Sequence, residues 1–214
     1  MKLLYSHVDD LSLLPHFIKH YEKRGIDTFI MGIPISLEER WNEAVDTSIM
    51  WRLQKLYAQP NEWIALADLD EFINVESLPA VVERAERESA NYVSGELVDR
   101  IDREGFLHQI NYYSDLESLF PLRTSLSSVY GTSSKVFLIK GQTKFYGGHH
   151  TADGKGLSAG FQVDHFKWNS NVIERLEKRN HMRFQLGLPH YGIIINDIFK
   201  DGRLDMSKVP LYKP

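Results

Sequence analysis

The sequence predicts one α/β domain over residues 1–214, with a mixed central sheet flanked by helices. Three observations predict it. The first 70 residues alternate strand-like and helix-like patterns three times, the signature of an open α/β sheet. After residue 90 the pattern changes to short strand-like runs separated by turns, which predicts a mixed C-terminal half. With 214 residues and no internal repeat or low-complexity linker, the chain has enough length for one sizeable core and too little for two.

In chain order, "KLLYSHV" (2–8) reads as a strand, and "DDLS" follows it with Ser12 placed as a helix N-cap. Leu13, Leu14, Phe17, Ile18 and Tyr21 recur at helical spacing; Pro15 is tolerated in a first turn, and Gly25 closes the helix. "DTFIMGI" (27–33) is the next strand, which completes a βαβ unit with parallel strands. Residues 36–59 read as a helix opened by the capping-box pair Ser36 and Glu39, and "PN" breaks it before a strand at 62–68. A short helix is expected over 77–89. Strands are expected in "NYVSGELVDRI" (91–101), "GFLHQINYY" (105–113), "SKVFLIK" (134–140), "TKFYGG" (143–148) and "GFQVDHFKW" (160–168). The last helix, 171–187, ends at a glycine.

Composition narrows the function classes. The 25 Lys plus Arg against 29 Asp plus Glu give a net charge of -4, which argues against a general nucleic-acid binder, since neutralising phosphates needs a basic surface. The absence of cysteine excludes disulfides, thiolate metal sites and cysteine nucleophiles. The opening "MKLLYSH" does not read as a signal peptide, and no run approaches the ~18 apolar residues of a membrane span. A cytoplasmic protein without a transmembrane segment is expected, with peripheral membrane association left open.

Four stretches could carry chemistry. "WIALADLDEFINV" (63–75) drives an apolar strand into Asp68, Asp70 and Glu71, with Glu76 just beyond. In open α/β sheets ligands bind outside the carboxyl ends of strands, where this cluster falls. Two Asp at i, i+2 on extended chain point the same way, about 6 to 7 Å apart, and repel unless a cation intervenes. Mg²⁺ or Mn²⁺ suits such oxygen ligands and would also bind phosphate oxygens. A bare D-x-D is common and by itself reads as a solvated strand end, but its position at the end of the third strand of an alternating pattern favours the functional reading.

In "VDHFKW" (163–168), strand alternation puts Asp164, Phe166 and Trp168 on one face and His165 with Lys167 on the other. His165 then becomes a candidate third metal ligand, and Lys167 a phosphate contact. In "YGGHHT" (146–151), two glycines permit close backbone approach, and His149 and His150 could donate to sugar or phosphate oxygens. "GELVDRIDREG" (95–105) carries Asp99, Arg100, Asp102 and Glu104, readable as a salt-bridged surface or as the source of a general base. No P-loop, dinucleotide-binding or G-x-S-x-G motif is present.

Taken together, "LLPHFIKHYEKRGIDTFIM", "WIALADLDEFINV", "GELVDRIDREGFL", "GGHH" and "VDHFKWNSNVIERLEKR" resemble the glycosyltransferase family 2-like proteins of the GT-A fold, close to the bacterial group related to glycosyltransferase family 92. The resemblance runs from residue 13 to about 179. It implies a GT-A-like nucleotide-diphospho-sugar transferase fold, a UDP- or GDP-sugar donor, Mn²⁺ or Mg²⁺, and an acceptor that is a glycan, lipid or small molecule. By the same resemblance Asp68 lies near the ribose and metal, Asp70 binds the metal, His165 is its third ligand, and His7 lies near the nucleobase. Arg100, His149, His150 and Lys167 complete the expected nucleotide-sugar contacts. Asp99 is the expected acceptor-side base, with Asp102 second. The chain departs from the pattern after the second strand, where it has "MGIPIS" (31–36) in place of an acidic turn. Two alternatives stand beside this reading. A metal-dependent phosphohydrolase of the haloacid dehalogenase type wants its D-x-D after the first strand and Thr or Val where Phe72 stands. A non-catalytic nucleotide-sugar-binding domain would keep the fold and lose the chemistry.

Overall fold

The first strand, β1 (Lys2–Ser6), is buried on both faces. Leu3 and Tyr5 join one core cluster and Leu4 another. Its neighbour β3 (Trp63–Asp68) behaves alike, with Trp63, Ala65 and Ala67 on one side and Ile64 and Leu66 on the other. A strand covered on both faces reads as an unbroken apolar run, which is why "WIALA" shows no alternation. The computed structural model describes residues 1–6, 11–32, 43–129, 133–158, 160–185 and 197–212. His7, the Ser36–Glu39 pair and most of "MGIPIS" lie outside the described residues.

Helix α1 (Leu14–Glu22) and strand β2 (Thr28–Gly32) complete the expected βαβ unit, and β1 pairs in parallel with both β2 and β3. Pro15 sits in the first turn of α1 as expected, but the N-cap is Leu13, without a side-chain cap, and not Ser12. Helix α2 (Glu43–Tyr57) covers the Leu4–Ile64–Leu66 face. After β3 come β4 (Glu71–Ile73), helix α3 (Leu78–Arg87), capped by Ser77 Oγ, and the long strand β5 (Tyr92–Ile101).

The stretch 105–113 forms no strand. Asp102 instead accepts from the backbone N–H of Glu104 and Phe106 and ties the chain into a turn. Short elements follow: α4 (Leu116–Leu119), β6 (Leu122–Thr124) and α5 (Leu126–Val129). Strand β7 (Ser134–Lys140) matches expectation, whereas β8 (Phe145–Tyr146) and β11 (Gln162–His165) are shorter than their apolar runs. Between these two lie β9 (Thr151–Ala152) and β10 (Gly156–Leu157). Helix α6 (Val172–Gln185) and the hairpin β12 (Phe199–Lys200) and β13 (Arg203–Leu204) end the described fold.

The sheet runs β2-β1-β3-β7-β5-β11-β4, with β6 and β10 also paired to β5. It is mixed: β7 is antiparallel to β3 and β5, β11 is parallel to β5, and β4 is antiparallel to β11. β3 and β4 stand four places apart in this order, yet only Leu69 and Asp70 separate them in sequence. Three peptide steps span at most about 11 Å, whereas four flat strand spacings of ~4.8 Å need about 19 Å. The sheet therefore curls. Its curl gathers the end of β3, the start of β7, the end of β5 and the end of β11 around one point.

Candidate functional site

Tyr21 of α1 anchors the turn that carries the acidic cluster. Its hydroxyl donates to Glu71 O at 2.9 Å and accepts from Ile73 N at 3.3 Å. Phe166 N donates to Asp70 O at 2.8 Å, which pins the same turn to the end of β11. Residues 69–70 are a turn, so the strand geometry expected for Asp68 and Asp70 does not apply, and the two carboxylates engage different partners.

Asp68 faces Lys135. The antiparallel register of β3 and β7, continued past Ala65–Leu138, brings the start of β7 beside the end of β3. Lys135 Nζ lies 2.7 Å from Asp68 Oδ2 and 2.8 Å from Glu71 Oε1, and donates to Gly148 O at 3.0 Å. Gly147, Gly148 and His149 all take positive φ, a turn that two glycines make at low cost and that folds His149 back onto β7. There His149 Nδ1 donates to Val136 O at 2.9 Å, so Nε2 faces Asp68 Oδ1 at 3.5 Å and Glu71 Oε2 at 3.8 Å. Burial opposes the Asp68 charge, but Lys135 and His149 hold its carboxyl well below the usual range. Burial dominates at Glu71 and pushes its carboxyl up. The two acids around Lys135 are thus driven apart in proton affinity.

Asp70 faces His165. Its Oδ2 lies 3.7 Å from His165 Nε2 and accepts from Arg175 Nη2 of α6 at 3.1 Å. His165 Nδ1 donates to Asp99 Oδ1 at 2.9 Å, across the parallel β5–β11 pair in which Asp99 and His165 are register partners. Despite burial, the neighbouring carboxylates of Asp70 and Asp99 raise the imidazole pKa to about 9. Asp70 is held below the usual carboxylate range against its burial by His165 and Arg175.

Several residues expected at the site stand elsewhere. Asp99 is 0% exposed and accepts from Ser127 N, Ser127 Oγ, His165 Nδ1 and Trp168 Nε1. An acceptor hydroxyl has no access to it, so its surroundings are those of an orienting carboxylate and not of an acceptor-side base. Asp102 caps its turn and bonds His108 Nε2 at 3.0 Å. Arg100 pairs with Asp164 and Glu117, and its Nε donates to Phe120 O. The chain leaves strand geometry after His165, so Trp168 comes to the His165 side against the expected alternation. Lys167 also turns toward Asp70 and Asp99, with its ammonium over the Trp168 ring; burial and the nearby Arg179 and Arg175 lower its pKa to about 8. His150 Nδ1 donates to Ser134 O at 2.6 Å, and burial lowers its pKa to about 4.

Three site residues are absent from the sequence-based expectations: Lys135 is marked only as a lysine near the start of an otherwise apolar strand, and nothing in the sequence marks Arg175 or Ser127.

Among the described residues, one group of three donors and one pair stand as candidate metal ligands. Asp68, Glu71 and His149 bring one ligand atom each within 4.8 Å of one another. Lys135, its charge reinforced by both carboxylates against burial, already supplies the cation there, so a divalent ion would compete with an ammonium. Asp70 and His165 form the second set. Two bonds of ~2.1 Å to one metal place ligand atoms between about 3.0 Å (cis) and 4.2 Å (trans) apart, and the observed 3.7 Å lies inside that span. Asp99 behind His165 is the outer-shell partner that ligating histidines require. The second set fits a divalent ion once His165 gives up its Nε2 proton and the ion shares Asp70 Oδ2 with Arg175.

No family model matches the chain, and no curated protein matches it. Among solved structures it is similar to "Crystal Structure of A197 from STIV", with 13% identity over 77% of this chain and 85% of that one and a TM-score of 0.32, too low to support an argument.

Proposed function

We propose that the chain is a metal-dependent glycosyltransferase with a GT-A-like nucleotide-diphospho-sugar transferase fold, taking a UDP- or GDP-sugar and passing the sugar to an acceptor hydroxyl. The observation that carries this reading is the line Asp70–His165–Asp99 at the end of an acidic strand turn. Asp70 and His165 would hold Mn²⁺ or Mg²⁺. Such an ion supplies positive charge to the donor diphosphate and to the departing nucleoside diphosphate.

The protein's own groups have distinct tasks. Asp99 keeps the Nδ1 proton in place and so directs the Nε2 lone pair toward Asp70. Arg175 fixes the Asp70 carboxylate from the side of α6. Lys167 adds a cation beside them for diphosphate oxygens. Asp68, kept ionised by Lys135 and 30% exposed at its side chain, offers an acceptor oxygen to ribose hydroxyls. The test is a thermal-shift titration. Mn²⁺ with UDP or GDP should raise the melting temperature more than either component alone, and Asp70→Asn should lose the joint effect. Additive or absent shifts in the wild-type protein would refute the reading.

A further inference from the structure

Asp68 and Asp70 each carry a protein cation, and the two cations are held very differently. Lys135 is locked: its side chain is 6% exposed, and its ammonium meets Asp68, Glu71 and Gly148 O. Arg175 is 17% exposed at its side chain, which makes one hydrogen bond among the described residues, from Nη2 to Asp70 Oδ2 at 3.1 Å. One nitrogen of the guanidinium is engaged, in a group whose fork suits two oxygens of one phosphate.

That bond uses the oxygen an ion would take. Asp70 Oδ2 is also the atom that lies 3.7 Å from His165 Nε2. A divalent ion bonded to it at ~2.1 Å would stand no farther than about 5.2 Å from Arg175 Nη2. At that range a doubly charged ion and a guanidinium repel strongly, because both Asp70 and Arg175 are largely shielded from solvent. Sharing the oxygen is therefore costly, and an anion that draws Arg175 away relieves the cost.

The surroundings favour such an anion. Lys167 lies over the Trp168 ring and makes no hydrogen bond or ion pair among the described residues. Arg179 stands one turn beyond Arg175 on α6, where side chains at i and i+4 are neighbours. After burial, Arg179 and Arg175 are the groups that most disfavour the Lys167 charge, ahead of the support from Asp99 and Asp70. Three cations thus crowd one side of Asp70, and an anion among them is attracted by all three.

We propose that Arg175 couples metal binding to diphosphate binding: it holds Asp70 while no ion is bound, and turns to the diphosphate when a divalent ion takes the Asp70 oxygen. This role rests on the transferase reading, in which Asp70 and His165 hold the ion. Alone, the ion is opposed by the guanidinium, and the diphosphate meets an arginine that is already engaged. Together they relieve each other, and by linkage the gain is the same for both.

Calorimetric titration of the full chain with MnCl₂ and with UDP and GDP, separately and together, tests it. Arg175→Met should bind Mn²⁺ about 10-fold more tightly than wild type, because the competing cation is gone. In the presence of Mn²⁺ it should bind the nucleotide about 10-fold more weakly. Arg175→Lys keeps the charge and loses the fork, so Mn²⁺ affinity should stay near wild type while the nucleotide weakens several-fold. An arginine that only anchors α6 gives the opposite result for the ion: a lower melting temperature with equal or weaker Mn²⁺ binding. That result, in a protein whose wild type binds Mn²⁺ and nucleotide jointly, overturns the coupling and leaves the transferase reading standing. Absence of Mn²⁺ or nucleotide binding from wild type and variants alike overturns both. If Arg175→Met does not fold, wild-type nucleotide affinity in Arg175→Lys overturns the coupling.

Discussion

His165 Nδ1 donates to Asp99 Oδ1 at 2.9 Å, and the same oxygen accepts from Trp168 Nε1 at 2.7 Å. Asp99 is thereby committed to orienting an imidazole whose other nitrogen faces Asp70.

Asp99→Asn should therefore act through His165. The amide retains one acceptor oxygen but turns an NH₂ toward donors that Asp99 now accepts, which costs about 1–3 kcal/mol of stability. Mn²⁺ affinity should fall about 10- to 100-fold, as for other outer-shell partners of ligating histidines. Calorimetry with Mn²⁺ and chemical denaturation check both. A variant that loses turnover while keeping wild-type Mn²⁺ affinity would restore the acceptor-base role.

Lys135→Met removes the cation that Asp68 and Glu71 share. Breaking a buried pair by deleting one partner costs about 3–5 kcal/mol, and the partial exposure of Asp68 puts this case near the lower end. In a His165→Ala background, where the other donor set is disabled, Mn²⁺ should restore part of the lost melting temperature, because Asp68, Glu71 and His149 are left to share an ion. No recovery with Mn²⁺ would show that the cluster is a structural ion pair alone.

Stability should fall on mild acidification, with His20 as one cause. Burial, then Arg24, lowers its pKa from 6.5 to about 3. A histidine kept neutral in the folded state contributes stability that is complete above pH 6.5 and declines as pH falls toward 3, since the unfolded chain binds the proton first. At pH 5 the loss reaches about 2 kcal/mol. Denaturant titrations at pH 7 and 5 should show a smaller difference for His20→Gln than for wild type; equal differences would acquit His20.

Tyr21→Phe should loosen the acidic turn without emptying the core. The ring stays packed on Phe17, but Glu71 O loses its donor and Ile73 N its acceptor. A cost of about 1–3 kcal/mol is expected from the stranded backbone groups. Amide hydrogen exchange at Ile73 should accelerate in the variant; unchanged protection would mean that β4 holds without α1.

The sequence by itself marked the longer elements and none of the short ones such as β4, β6 and α4. Apolar runs buried on both faces marked β1 and β3, helical spacing marked α1 and α3, and the strand-end rule drew attention to Asp68 and Asp70. It also brought His165 forward through its polar neighbours. It misjudged 105–113, whose start Asp102 ties into a turn, and Trp168, where the chain stops being extended. Only the tertiary structure decided which groups meet. Period-2 and period-3.6 patterns describe neighbours within a strand or helix, while the pairing of Asp99 with His165, of Asp68 with Lys135 and of Asp70 with Arg175 joins residues 66, 67 and 105 positions apart. The first two distances close because β5 pairs with β11 and β3 with β7; Asp70 reaches His165 and Arg175 because two residues link β3 to β4 and force the sheet to curl, a constraint set by peptide length and strand spacing that no local pattern records.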